Sequence, residues 1–165
     1  MQSYLYVAPQ RRNGDFMEKK KEKSDVLLLQ DIYKSISLRA DLLTSLLEKT
    51  ENGELKALLS SAIDTCKKFA GLAAQRLETL SSKAQSLGLL EKIPAEIAVK
   101  ASTMTDCCTS KIAELVIEGA VSNVSEYKEK IREADQSGAS LENIRLAGDI
   151  LSFHEEMINK MRPYL

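Results

Sequence analysis

The sequence predicts an all-α protein, folded as an antiparallel up-down-up-down bundle of four helices. In four long segments, apolar residues recur every three or four positions, as they do on the buried face of a helix. The connections between these segments are short, so successive helices are expected to be antiparallel neighbours. Only 5% of the residues are aromatic, and no run of alternating β-branched residues suggests a sheet. A chain of 165 residues is expected to form one domain with one core.

The first helix is predicted to begin at Ser24 and Asp25, because both residue types are favoured as N-caps. It should end near Asn52 and Gly53. Its apolar face is predicted to carry Ile32, Ile36, Ala40, Leu43 and Leu47. Residues 1–23 show no sustained period and are predicted to be a disordered tail, which leaves residues 24–165 as the domain.

The natural start of the protein is open between Met1 and Met17 on the sequence alone. Met17 begins a strongly polar run, and the codons for the Asn-Gly-Asp-Phe stretch before it can contain a ribosome-binding site. In that case residues 1–16 would be a non-native tail. The alternative is an ordinary disordered N-terminus.

Glycine and proline mark the ends of the second and fourth helices. The second helix is predicted to run from Glu54 to about Leu87, since Gly88 is typical of the residue that follows a helix. The fourth is predicted to begin around Ser140, after a Ser-Gly turn, and to end at Pro163, which cannot continue a helix.

The third helix is predicted to begin at Pro94 and to be kinked or broken between Gly119 and Asn123. Its first apolar stripe is centred near Cys108. A second set of apolar residues comprises Val124, Tyr127, Ile131 and Ala134. At about 100° per residue, it lies roughly 120° around the helix from the first stripe. Because one straight helix is not expected to bury both sets, the residues after 123 should form a bent extension or a short separate helix.

Several function classes find no support in the sequence. The 23 basic and 24 acidic residues nearly cancel, so no global field favours a nucleic-acid partner. No apolar run approaches the length of a membrane span. The phosphate-binding patterns GxxxxGK[ST] and GxGxxG are absent, and so are HExxH and CxxC. Three cysteines without a secretory signal predict reduced thiols in the cytoplasm.

His154 is the candidate for chemistry, because it falls on the apolar face of the fourth helix. One hypothesis makes it a metal ligand or proton-transfer group, with Glu118 or Glu155 supplying oxygen for a divalent cation. The other makes it a neutral core histidine that forms a hydrogen bond with a neighbouring carboxylate or hydroxyl. Without a metal, no cofactor is expected.

The three cysteines differ in their predicted environments. Cys66 and Cys108 fall on apolar stripes and are expected to pack as small hydrophobic residues. Cys107 lies on the flank of the predicted third helix. It is therefore the candidate for a reactive, redox-sensitive thiol.

Residues 109–124 (TSKIAELVIEGAVSNV) and 149–165 (DILSFHEEMINKMRPYL) resemble small bacterial proteins of the ferritin-like helix-bundle type. The resemblance covers residues 25–165. In the third helix of those proteins the pattern is Ser-His-Ile-Ala-Glu with a glycine several residues later, and the residues that match it here are Ser110, Ile112, Ala113, Glu114 and Gly119. Lys111 takes the place of the histidine, so no metal role is implied for that position.

A complete di-iron site of the ferritin type is excluded by composition. Such a site takes a Glu from each of two helices and Glu-x-x-His from each of the other two. This chain has a single histidine, and the residue three positions before His154 is Leu151.

The leading functional hypothesis is a non-enzymatic bundle that acts by association, with a second copy or another protein as its partner. It is based on apolar residues outside the main stripes, namely Leu27, Leu38, Leu42, Leu146 and Phe153. Such residues either cover additional core or form an interface. The alternative hypothesis is a degenerate ferritin-like protein that binds a metal or responds to oxidants through a thiol.

Overall fold

The computed structural model describes residues 11–80 and 108–165, with side chains from residue 14 onward. These ranges contain four α-helices and no strand, which confirms the predicted all-α class. The helices are α1 (Arg11–Lys49), α2 (Gly53–Thr79), α3 (Thr109–Ser137) and α4 (Leu141–Met161). A 3-10 turn, Arg162–Tyr164, follows α4.

The core lies between two pairs of helices. α1 packs mainly against α2, and α3 packs mainly against α4. α1 also contacts α3 and α4, while α2 contacts α4. The largest fully buried side chains come from all four helices and include Leu29, Ile36, Leu59, Leu115 and Ile150. Each such side chain contributes about 1.5–3 kcal/mol of hydrophobic stabilisation.

The predicted start of the first helix was wrong. α1 begins at Arg11 rather than at Ser24, and residues 14–23 are both helical and exposed. Because no face of this segment is buried, its apolar residues do not recur with a helical period. The prediction relied on such a period to recognise a helix. Ser24 is the first half-buried residue and Asp25 the first buried one, so this pair marks where α1 begins to pack.

Ser24 and Asp25 do bind at helix ends, but not at the start of α1. The Ser24 hydroxyl donates to the carbonyl of Ser137, the last residue of α3. The Asp25 carboxylate accepts from the backbone N–H of Ser140 at 2.7 Å, from its hydroxyl at 2.9 Å, and from the Asn143 amide at 2.9 Å. Asp25 therefore satisfies donors at the N-terminus of α4, where a negative charge is also favoured by the helix dipole.

Two other boundaries differ from the predictions. α2 ends at Thr79, with Leu80 as its C-cap, rather than near Leu87. Cys108 has extended backbone angles and is the N-cap of α3, so no helix continues through it. The predicted start at Pro94 lies outside the described residues.

The predicted break in the third helix was also wrong, because α3 is continuous from Thr109 to Ser137. The prediction treated the buried face of its first half as one narrow stripe. That face is broad and also includes Ala113, Val116 and Ala120. Ala113 and Ala120 are spaced by seven residues, and the same spacing continues to Tyr127 and Ala134. A helix with a seven-residue repeat keeps one seam buried along its length.

The boundaries of α4 agree with the sequence. Ser140 is its N-cap, and Gly138 adopts a left-handed conformation (φ 83°) in the turn that ends α3. Glycine adopts this conformation without the steric penalty of a Cβ. α4 ends at Met161, two residues before Pro163. Leu146 and Leu42, which lie outside the predicted main stripes, are buried, so these two residues cover additional core.

None of the helices in the described ranges combines the length and apolar character that crossing a membrane requires.

Candidate functional site

His154 lies inside the bundle, as the position of the residue on the apolar face of α4 predicted. It is fully buried, and its ring lies 5.7 Å from the ring of Tyr127 and 5.3 Å from that of Phe153, measured between centroids. Within residues 11–80 and 108–165, neither ring nitrogen has a hydrogen-bond partner. The described residues therefore do not provide the predicted bond to a carboxylate or hydroxyl.

Burial fixes the protonation of His154. Loss of water and the nearby positive charge of Arg39 lower its pKa from 6.5 to about 3. The ring is neutral at pH 7, so it offers one N–H donor and one nitrogen acceptor.

Arg39 of α1 is the second buried polar residue of this region. It is only 3% exposed, and its Nη2 donates to the carbonyl of Val116 in α3 at 2.8 Å. Among the residues that the structure describes, Nε and Nη1 have no hydrogen-bond partner, and no carboxylate forms an ion pair with this guanidinium. Burial lowers its pKa to about 10, which still leaves it positively charged at pH 7.

α3 makes room for Arg39 at Gly119. A Cβ at position 119 would collide with Nη1 of Arg39 and would also touch a methyl group of Leu42. The absence of a side chain therefore lets the guanidinium lie against the α3 backbone, one turn from the Val116 carbonyl that it binds.

Cys66 and Tyr127 complete the surroundings, so that each helix contributes a polar side chain. Burial raises the pKa of the Cys66 thiol to about 12, against the opposing effect of Arg39. Burial also raises the pKa of Tyr127, whose hydroxyl lies 2.6 Å from that of Ser35. Both groups are neutral at pH 7. Arg39 is therefore the only charged member of the set formed by Arg39, Cys66, Tyr127 and His154, here called the buried polar cluster.

Arg39 did not figure among the candidate residues, although the sequence carries a signal for it. It continues the series Ile32, Ile36, Leu43 and Leu46, whose members are spaced by three or four residues and are all fully buried. A charged residue inside such a stripe departs from the usual pattern. The burial of Cys66, in contrast, was predicted and is confirmed.

The structure does not bring together the predicted metal ligands. His154 is buried, whereas Glu118 and Glu155 are both exposed. Glu155 lies 4.0 Å from the ammonium of Lys128. Within residues 11–80 and 108–165, no group of three or more His, Cys, Asp or Glu side chains is placed to hold a metal ion.

The thiols near the start of α3 differ from the predictions in part. Cys108 is exposed rather than packed in the core, because it precedes the helix instead of lying within it. Its sulfur lies 3.5 Å from the Ser110 hydroxyl. Cys107, the predicted reactive thiol, lies outside the described residues.

A groove with a volume of about 290 Å³ separates α2 from α4 on the surface of the bundle. Its apolar lining comprises Leu58, Ala62, Phe69, Phe153 and Met157. Its polar lining includes the carboxylates of Asp149 and Glu156, together with Lys160, which is paired with Glu156 at 2.7 Å. The groove can take an apolar side chain whose neighbours are basic.

Comparison of the chain with protein-family models, with curated proteins and with solved structures finds no match.

Proposed function

We propose that this protein is a non-enzymatic helical bundle that acts by association with a second copy of itself. The observation that carries the proposal is the N-terminal part of α1, residues 14–23, here called the α1 extension. It is helical and exposed along its whole length. It carries Phe16, which is 70% exposed, and Met17, which is 64% exposed.

Two of the exposed apolar residues of α1, Phe16 and Leu27, share a face. Phe16 and Leu27 are eleven residues apart, which is close to three full turns of a helix. Leu27 is 59% exposed. Helical segments in water owe most of their stability to the packing of an apolar face, and a partner would supply that packing for the α1 extension.

The groove between α2 and α4 complements the α1 extension. Residues 11–23 include six basic and three acidic side chains, while Asp149 and Glu156 lie at the groove. Phe16 of one copy would enter the apolar groove of the other, with neighbouring lysines near its carboxylates. Such charge complementarity guides association and orientation more than it adds affinity.

The helix contacts disagree with the predicted up-down-up-down order, in which α1 would be parallel to α3 and α2 parallel to α4. Ser24 contacts the end of α3, Asp25 contacts the start of α4, and Arg76 near the end of α2 contacts Glu142 at the start of α4. These contacts support an up-down-down-up order of the four described helices, and this order is part of the proposal. The two free thiols among the described residues, Cys66 and Cys108, are consistent with the cytoplasm as the proposed location.

Sedimentation velocity at micromolar concentration tests the association. The wild-type chain should sediment as a dimer, and both Phe16→Ser and Ser152→Trp should sediment as monomers. The first removes the inserted side chain, and the second fills the groove from an exposed position in its lining. Glu22→Gln, about 120° around the helix from Phe16, and Ser125→Trp, at an exposed position of α3, are the matched controls.

A wild-type chain that stays monomeric at 100-fold higher concentration would contradict the association itself. If Phe16→Ser gives monomers and Ser152→Trp leaves the dimer intact, the α1 extension is the interface and the groove is not. The degenerate metal-binding alternative draws no support from the described residues, since its three ligands do not converge.

A further inference from the structure

The groove between α2 and α4 has the size of a site for a small molecule. Its volume of about 290 Å³ lies near the lower limit of ligand pockets in proteins, which is about 300 Å³. A cavity of about 150 Å³ already holds a benzene molecule. The groove therefore has room for one aromatic ring with a short substituent.

Two aromatic side chains line the groove from opposite sides. The rings of Phe69 in α2 and Phe153 in α4 lie 6.0 Å apart between centroids, at an angle of 64°. Both side chains are only partly buried, so ring surface is accessible from the groove. Aromatic rings favour edge-to-face contacts at such separations. A third ring in the groove can make the same contact with either phenylalanine.

The charges at the groove favour a cation. Glu156 is paired with Lys160 at 2.7 Å, so these two charges offset each other. Asp149 also lines the groove, and no described residue forms an ion pair with it. Asp149 precedes Phe153 by four residues, which makes the two side chains neighbours on one side of α4. The groove thus combines an aromatic pair with one negative charge that the described residues leave uncompensated.

We propose that the groove binds a small aromatic amine, and that this ligand displaces the α1 extension of the second copy. The ring of the ligand lies against Phe69 and Phe153, and its ammonium group faces Asp149. The exposed hydroxyl of Ser152 offers the ammonium a hydrogen-bond acceptor. The displacement rests on the proposed function, because Phe16 and its neighbouring lysines would occupy the same groove. The binding of the ligand itself does not.

Chemical-shift titration of the full chain with phenethylamine tests the ligand class. The titration extends to about 10 mM, since a ligand of this size binds in the millimolar range. Two matched probes separate its features: 3-phenylpropionate carries the ring with a negative charge, and butylamine carries the ammonium without the ring. Both should bind at least about fivefold more weakly. Equal binding of phenethylamine and 3-phenylpropionate would overturn the proposal.

Variants of the lining locate the ligand. Ser152→Trp fills the groove and should abolish phenethylamine binding. Asp149→Asn should weaken it about threefold to fivefold, the upper range for an exposed ion pair. Asp64→Asn is the matched control, because Asp64 is exposed on α2 and does not line the groove, and it should bind as the wild type does. If Ser152→Trp binds phenethylamine unchanged, the ligand binds elsewhere and the proposed site is wrong.

Sedimentation velocity with and without phenethylamine tests the displacement. At about ten times the Kd of the ligand, the wild-type dimer should dissociate at about tenfold higher protein concentration, and butylamine should have little effect. A dimer that bound phenethylamine leaves intact would overturn the displacement. Phe16→Ser keeps the groove and should bind phenethylamine at least as tightly as the wild type. If it does so but the wild type never dimerises, the proposed function and the displacement fail while the ligand site stands.

Discussion

At the scale of single residues, burial acts on Arg39 and His154 in the same direction but with different results. In both side chains the loss of water disfavours the protonated form. The pKa of Arg39 falls to about 10, so the guanidinium keeps its charge. The pKa of His154 falls to about 3, so the imidazole becomes neutral. The apolar core therefore contains both a cation and a neutral base.

The lowered pKa of His154 predicts that acid destabilises the protein. The unfolded chain binds a proton at this side chain near pH 6.5, whereas the folded chain does so only near pH 3. The contribution of neutral His154 is thus complete above pH 6.5 and is lost as the pH falls toward 3. Near pH 5 the loss should reach about 2 kcal/mol, at 1.4 kcal/mol for each pH unit below 6.5. Urea midpoints of the wild type and His154→Gln between pH 5 and 8 measure it.

Carboxylates elsewhere titrate in both proteins, so the difference between wild type and His154→Gln isolates the imidazole. The side chains that face it are Arg39 from α1 and Tyr127 from α3, with Phe153 adjacent on α4, and none of them changes charge between pH 5 and 8. A difference between the two proteins that stays constant over this range would show that His154 is not buried in a neutral form.

Helical periodicity in the sequence predicts the burial of His154 but not that of Arg39. His154 was placed correctly because its neighbours in α4 follow a helical repeat. Arg39 occupies an equally regular position in α1, but a long charged side chain is normally assigned to the surface. Its burial depends on Gly119 and Val116, which are 77 or more residues away in sequence. The residues around Arg39 in the sequence therefore cannot predict its burial.

At the scale of the helices, Asp25 connects three elements at one end of the bundle. Its carboxylate accepts from Ser140 and from the Asn143 side chain of α4. The side-chain oxygen of Asn143, Oδ1, in turn accepts from Arg76 of α2 at 3.0 Å. Asp25 and Asn143 are both buried, so their bonds are shielded from water.

Replacing Asp25 by alanine should therefore destabilise the protein by about 2–3 kcal/mol, because Ser140 at the N-terminus of α4 and the buried Asn143 amide both lose their acceptor. Asp25→Asn keeps an acceptor oxygen and should lose less than half as much. Urea unfolding at pH 7 measures both variants. If the alanine and asparagine variants are equally stable, the hydrogen bonds of Asp25 contribute nothing beyond its charge.

Helix boundaries were predictable where they depend on nearby residues. Gly138 and Ser140 define the turn before α4 through their own backbone and capping preferences. Ser24 and Asp25 have the same preferences, yet the donors that Asp25 satisfies belong to another helix. The start of α1 was missed because residues 14–23 bury no face and therefore show no apolar period. The continuity of α3 was missed because its buried face is broader than a single stripe.

At the scale of the whole molecule, the two helix pairs are joined by polar contacts as well as by the shared core. Arg39 reaches from α1 to α3, and the hydroxyls of Ser35 and Tyr127 connect the same two helices. Asp25 and Arg76 both contact the beginning of α4. Most helix contacts nevertheless fall within the pairs α1–α2 and α3–α4. Whether the pairs unfold together depends on the contacts between them.

We expect a single cooperative unfolding transition, because the core is continuous and draws fully buried residues from every helix. Hydrogen exchange followed by mass spectrometry at increasing urea concentration tests this. The slowest amides around Cys66 in α2 and those around Val116 in α3 should report opening free energies within about 0.5 kcal/mol of each other. The Asp25→Ala variant should lower both values equally, since it weakens contacts between the pairs without removing core side chains from either. If α1 and α2 open at least 1 kcal/mol more easily than α3 and α4, the pairs are separate folding units and the predicted single domain is wrong.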